Sequence, residues 1–213
     1  MINRDTLDTL IEGHIKIWDP ESGEVMVNKR NAVNFENVSI AVANLLAGNF
    51  TRGYYITEMH FGNGGTVIDS TGAVSYRPPN VNGQGEQLYN DTFFKVVDEH
   101  DLINNTDPAL NKTSISHVNG LNYTDIVITC TIDYAEPIST DTTFNLAGQA
   151  QDPLDNSTTM NGSFVFDELG LKIKGLGPSL NNGLLITHVI FHPVQKSANR
   201  LLQVIYTLRI RAG

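Results

Sequence analysis

His188 and His192 stand four residues apart, the spacing at which a helix would offer two imidazoles to one metal ion. They belong, however, to the apolar run Leu184-Leu185-Ile186-Thr187-His188-Val189-Ile190-Phe191, which reads as a strand. At a strand's rise of ~3.3 Å per residue the two rings lie about 13 Å apart, so two separate strand histidines are expected. His100, between Asp98, Glu99 and Asp101, is a second metal lure. Adjacent residues point in alternating directions and no calcium-loop spacing surrounds them, so a solvated acidic loop is expected. Cys130 is the single cysteine and sits among alternating isoleucines, as a buried small hydrophobe does.

Other groupings are equally short of a mechanism. There is no Gly-x-Ser-x-Gly elbow, P-loop or dinucleotide fingerprint. Gly62-Asn63-Gly64-Gly65 has the look of a phosphate cradle, but lacks the downstream Lys and helix N-terminus that one needs, so a tight strand-ending turn is expected. Asp167 and Glu168 are neighbours, not a pair spaced across a cleft for glycoside hydrolysis. Trp18 is the only tryptophan, and Tyr54, Tyr55, Tyr76, Tyr89 and Tyr123 suit protein contacts better than a sugar platform. The expectation is a non-enzymatic protein with no catalytic, cofactor-binding or metal-ligating residue.

The elements that would position these residues are mostly strands. Leu7, Leu10 and Ile11 fall at i, i+3 and i+4 before Gly13, predicting a short first helix capped by Asn3 or Asp5. A hairpin follows, 14–18 and 25–29 about a turn at 20–23. Val38, Ala41, Val42, Leu45 and Leu46 make one apolar stripe of a second helix over 35–47, with Gly48 as its C′ glycine. Strands are predicted at 54–61, 93–97, 114–118, 125–134, 164–167, 184–191 and 201–211. In 125–134, Ile126, Ile128, Cys130, Ile132 and Tyr134 alternate with polar residues, the mark of a half-buried antiparallel strand. The fold class is mainly β, an antiparallel β-sandwich or jelly-roll-like fold with two short helices near the N-terminus and long polar loops. One domain spans 1–213, with a helix–hairpin–helix segment at 1–48 and the sandwich at 49–213. Segments 67–90, 99–112 and 136–161 read as long excursions that order against a neighbour.

Composition agrees with that class. The 213 residues include 18 Gly, 8 Pro and 22 Asn, a turn-rich inventory. Eight Asn-x-Ser/Thr triplets are read as by-products of that composition. No secretory or membrane-spanning run is seen, which predicts a protein made in a reducing cytoplasm. A net charge of −9 argues against nucleic acid as a partner. Its distribution is uneven: 169–213 has no acid and carries Lys172, Lys174, Lys196, Arg200, Arg209 and Arg211. These six are candidate assembly contacts, since opposed charged regions can pack head-to-tail. The alternative is that both signs mix on one folded surface.

Three stretches together carry a family resemblance. The first is Ala43-Asn44-Leu45-Leu46-Ala47-Gly48, then Met59-His60-Phe61-Gly62-Asn63-Gly64-Gly65-Thr66. The second is Phe166-Asp167-Glu168-Leu169-Gly170-Leu171, and the third runs from Leu185 to Pro193, then Lys196, then 202–210. Their order resembles virion structural proteins of tailed phages, especially contractile-tailed phages of cyanobacteria, and loosely the modules of tail-collar and fibre-attachment proteins. The resemblance implies a homo-oligomeric particle component on the tail, neck or baseplate, with itself and other virion proteins as partners. Capsid decoration and host-glycan binding are the alternatives. Gly62, Gly64, Gly65, Glu168 and Gly170 are read as framework residues, Glu168 accepting loop N–H bonds or pairing with a C-terminal arginine, and Gly170 allowing a bulge or positive φ.

Overall fold

The computed structural model describes residues 9–49, 53–98, 110–134, 136, 164–173 and 183–212. In chain order the first elements are β1 (Thr9–Trp18), β2 (Val25–Arg30), β3 (Ala32–Val33) and α1 (Phe35–Leu46). Next come β4 (Ile56–Gly62), β5 (Thr66–Ile68), β6 (Val74–Tyr76), β7 (Asp91–Val96), β8 (Lys112–His117) and β9 (Tyr123–Ile132). The long strands β10 (Phe164–Ile173), β11 (Leu184–Lys196) and β12 (Leu202–Ala212) complete the set. One five-stranded sheet has the order β2-β1-β12-β9-β8, and a second has the order β3-β11-β10-β4-β7. Hairpin β5–β6 forms a third, small sheet. Every pairing is antiparallel.

The alternation of apolar residues produces the core directly. Ile128, Cys130 and Ile132 of β9 lie opposite Tyr206, Val204 and Leu202 of β12, and all six are inaccessible to solvent. From the second sheet Met59, Phe61, Phe166, Leu169 and Leu171 join the same core. Phe61, Phe93, Phe164, Phe166 and Phe191 contact one another in edge-on, tilted or stacked pairs, with centroids 5.2–6.0 Å apart. On one flank the sheets are tied: Lys29 Nζ on β2 donates to the Ile190 carbonyl on β11 at 2.7 Å.

Two expectations are corrected. The first helix does not form, because residues 9–18 are strand β1, paired with β12 and β2. The alternation Ile11-Gly13-Ile15-Ile17 runs unbroken through Gly13, which has no side chain to show it. A Cβ at Gly13 would overlap the Asn31 side chain, so glycine marks close packing inside a strand and not a helix end. The only helix among the described residues is α1, capped by Asn34, whose side chain accepts from Asn37 N at 3.1 Å, and closed by Gly48 at φ 69°. Its stripe is only partly used: Ala41 is buried, whereas Val42, Leu45 and Leu46 are 40%, 38% and 84% exposed.

The second correction concerns 67–90. It opens with β5–β6 and returns across the outer face of the second sheet, held by hydrogen bonds. Loop 136–161, apart from Glu136, and most of 99–112 lie outside the described residues, as do positions 1–8.

The Cys130 thiol is fully buried, and burial pushes its pKa up to about 12. A thiol reagent should leave Cys130 unmodified in the native protein and label it completely in denaturant. Fast native labelling, followed by absorbance, would contradict the assigned core.

Candidate functional site

The second sheet has two faces, and its outward face is polar. Alternation places Met59 and Phe61 of β4 in the core and Glu58, His60 and Gly62 outside. On β10, Leu169 and Leu171 point inward while Glu168, Gly170 and Lys172 point out. On β11, His188 stands opposite Gly170. All of these outward residues are nonetheless buried; segment 77–90 covers Glu168, Gly170 and His188, through Asn80, Leu88, Tyr89 and Asn90.

Glu168 is the centre of the arrangement. Its Oε1 accepts from the backbone N–H of Gly64 (3.1 Å) and Asn90 (2.7 Å), and Oε2 from that of Tyr89 (3.0 Å). His188 Nε2 lies 2.9 Å from Oε2. A carboxylate has about four acceptor positions, and here all are occupied. The other ring nitrogen, Nδ1, accepts from Asn80 N at 2.8 Å. That bond leaves His188 as the neutral Nε2–H tautomer, donating to Glu168.

Asp167 continues the clamp. The β10–β11 register shifts between Phe166 and Glu168, a bulge that turns two adjacent carboxylates toward the same turn. Asp167 Oδ1 accepts from Gly65 N and Oδ2 from Thr66 N, each at 2.8 Å, and the Thr66 hydroxyl also donates to Oδ2. Burial nevertheless dominates and, with a smaller push from the neighbouring Glu168 charge, raises the carboxyl to about 6 against the three donors.

A second cluster lies two residues along. His60 Nδ1 is 2.7 Å from Asp91 Oδ2 and Nε2 is 2.9 Å from Glu58 Oε2, while the ring stacks on Phe94. Both nitrogens face acceptors, an arrangement fully satisfied by the doubly protonated ring. Lys172 Nζ donates to the same Asp91 oxygen at 2.7 Å. Desolvation opposes the Asp91 charge, but His60 and Lys172 outweigh it and hold the carboxyl below its ordinary value.

The glycines serve approach, not left-handed backbone. None of Gly62, Gly64, Gly65 and Gly170 has positive φ. A Cβ at Gly62 would overlap Glu168 and the Asn90 carbonyl, and one at Gly64 would stand 2.8–2.9 Å from Tyr89 and Asn90. At Gly170 it would meet Leu185 Cδ1 at 2.5 Å and the Thr187 carbonyl at 2.7 Å, so Gly170 is required by strand contact and not by positive φ.

Of the six basic positions, Lys174 lies outside the described residues. Lys172 and Lys196 are buried; the Lys196 amine donates to the Ser197 carbonyl at 2.9 Å and burial lowers its pKa to about 8. Arg200 bonds Asp19 at 3.2 Å and also Glu24. Arg209 makes two 2.8 Å bonds to Asp125 and lies over the Tyr123 ring. Arg211 is half-buried between Leu10 and Tyr123. Among the described residues no arginine bonds Glu168, whose acceptors are all taken. Lys172, Arg200 and Arg209 are thus each paired with an acid of the same chain, Arg209 because β12 runs beside Asp125 of β9.

His192 is exposed and faces the Tyr76 hydroxyl at 3.2 Å, so the two β11 histidines serve different partners. His100 lies outside the described residues. Among the described residues no three His, Cys, Asp or Glu side chains are arranged to hold a metal ion, and no helix is long and apolar enough to cross a membrane.

Sequence reasoning missed Glu58, His60, Asp91, Asn80 and Asn90. Nothing local in Glu58-x-His60-x-Gly62 marks this strand face as buried, since His60 is bonded by Asp91, 31 residues away, and stacks on Phe94 of the same strand as Asp91. No family model, curated protein or solved structure matches the chain.

Replacing Glu168 with Gln would turn an amide NH2 toward N–H donors. Glu168→Gln should cost about 3 kcal/mol or more of stability, readable as a lower urea midpoint. Asp167 gives a signed pH effect. Its folded pKa exceeds the ordinary value, so the folded state binds more protons between about 4 and 6. Wild type should gain stability relative to Asp167→Asn as pH falls from 7 to 4; a pH-independent difference in chemical denaturation would contradict the assignment.

Proposed function

We propose that this chain is a non-enzymatic structural subunit of a tailed-phage particle, docked in a symmetric assembly on the tail, neck or baseplate. Two features support this. One part of each of the three stretches that carry the family resemblance meets at one place: Gly64, Gly65 and Thr66 are bonded by Asp167 and Glu168, and His188 completes the cluster. Their chemistry is spent on holding a loop, which suits a framework.

The observation that favours assembly is an exposed apolar mouth. A cavity of about 400 Å³ opens between the sheets beside α1, lined by Ile126, Leu208, Ile173, Ile186 and Ala41 among others. Its rim includes Val42, Leu45, Tyr55 and Ile115, which are 40%, 38%, 45% and 76% exposed. Exposed apolar surface grouped in this way marks contact sites.

One observation favours the glycan-binding alternative. Tyr76 and Tyr89 are 54% and 37% exposed near one another's loop, with Arg77 over the Tyr89 ring. A glycan array on the isolated protein tests it, and strong specific binding would displace the assembly reading.

The direct test is mass spectrometry and labelled electron microscopy of purified particles whose genome encodes this chain. Multiple copies at the tail, neck or baseplate are expected. Label over the whole head would move the protein to capsid decoration, and absence from particles would overturn the proposal.

A further inference from the structure

We propose that β8 is the self-pairing edge of this protein: it joins the β8 of a second copy, antiparallel and in register about Ile115, fusing the two β2-β1-β12-β9-β8 sheets into one. The inference rests on the assembly reading and names its first partner as another copy of this chain.

Strand β8 ends its sheet, with β9 on one side and, among the described residues, no strand on the other. Natural sheets protect such edges with charge, proline, bulges or a covering segment. The opposite edge, β2, carries Lys29 and Arg30 and lies against β11 through the Lys29–Ile190 bond. Strand β8 reads Lys112-Thr113-Ser114-Ile115-Ser116-His117, with no proline and no charge from 113 to 116, and its register with β9 is unbroken.

Ile115 is the telling residue. It pairs with Ile126, and Thr113 with the buried Ile128, so Ile115 points to the core side of its sheet. Yet it is 76% exposed, because the facing sheet does not cover this corner. It stands on the rim of the apolar mouth with Tyr55, Val42 and Leu45. A core-side isoleucine left in water is a surface awaiting cover.

The strand's own sequence specifies the cover. In an antiparallel pairing centred on Ile115, Ile115 meets Ile115, Ser114 meets Ser116 and Thr113 meets His117. Opposed β-branched apolar residues and opposed hydroxyls are favourable cross-strand pairs. Lys112 falls opposite Val118, so no like charges face each other. A two-fold interface needs this self-complementarity, and a shift of one residue would set Ile115 against serine.

Size-exclusion chromatography with light scattering on the full chain should give twice the chain mass. Ile115→Lys changes an exposed side chain, so circular dichroism should be unchanged while dimerisation weakens at least ~10-fold, as charges are opposed at the two-fold. Register is read by cysteine. Directly opposed Cα atoms lie about 4.5–5.5 Å apart, within disulfide reach, so Ile115→Cys should cross-link as a dimer on oxidation. Ser116→Cys, whose copies sit two pairs apart, should not. Cys130 is buried and does not compete. A monomeric wild type, a dimer indifferent to Ile115→Lys, or cross-linking through residue 116 in place of 115 would overturn the pairing. A monomeric chain found in particles would sink the pairing and leave the assembly reading standing.

Discussion

The architecture of the second sheet depends on a buried charge that must not lose a partner. Glu168 sits at zero exposure, and removing an ionised carboxylate from water costs several kcal/mol unless its acceptors are filled. Three backbone N–H groups and His188 fill them. Two of those N–H groups belong to Tyr89 and Asn90, which end the covering segment, and the third to Gly64, in the turn that begins it. The carboxylate therefore fixes both ends of the 64–90 excursion at one point. The glycines follow from this: with side chains at 62 or 64, the backbone could not approach Glu168 closely enough to donate.

The imidazoles of this face are engaged by fixed partners within the chain. His188 is held neutral by Asn80 on one nitrogen and Glu168 on the other, and His60 is gripped by two carboxylates. In the basic C-terminal run, Lys172, Arg200 and Arg209 likewise bond carboxylates of the same chain.

Much of the β framework was legible in the sequence. The 14–18 and 25–29 hairpin, the helix over 35–47 and the alternating strands at 125–134 and 201–211 each follow from a simple period. Failures arose where a period was masked or shared. Gly13 hid a continuing alternation, and Leu7, Leu10 and Ile11 matched a helix by coincidence. The turn at Gly62-Asn63-Gly64-Gly65 could be read as a turn, but its partners lie about a hundred residues away, and alternation alone does not reveal that a polar strand face is roofed. Asp167 and Glu168 looked like mere neighbours because the bulge that makes them act together has no local signature.

The tie between Lys29 and the Ile190 carbonyl fixes the spacing of the two sheets at one point, where β2 meets β11. At the cavity beside α1 the facing hydrocarbon side chains lack the close neighbours that fill the rest of the core. Each ångström of such a gap forfeits dispersion energy that close packing would supply, so apolar groups filling it would add contacts without displacing any existing ones.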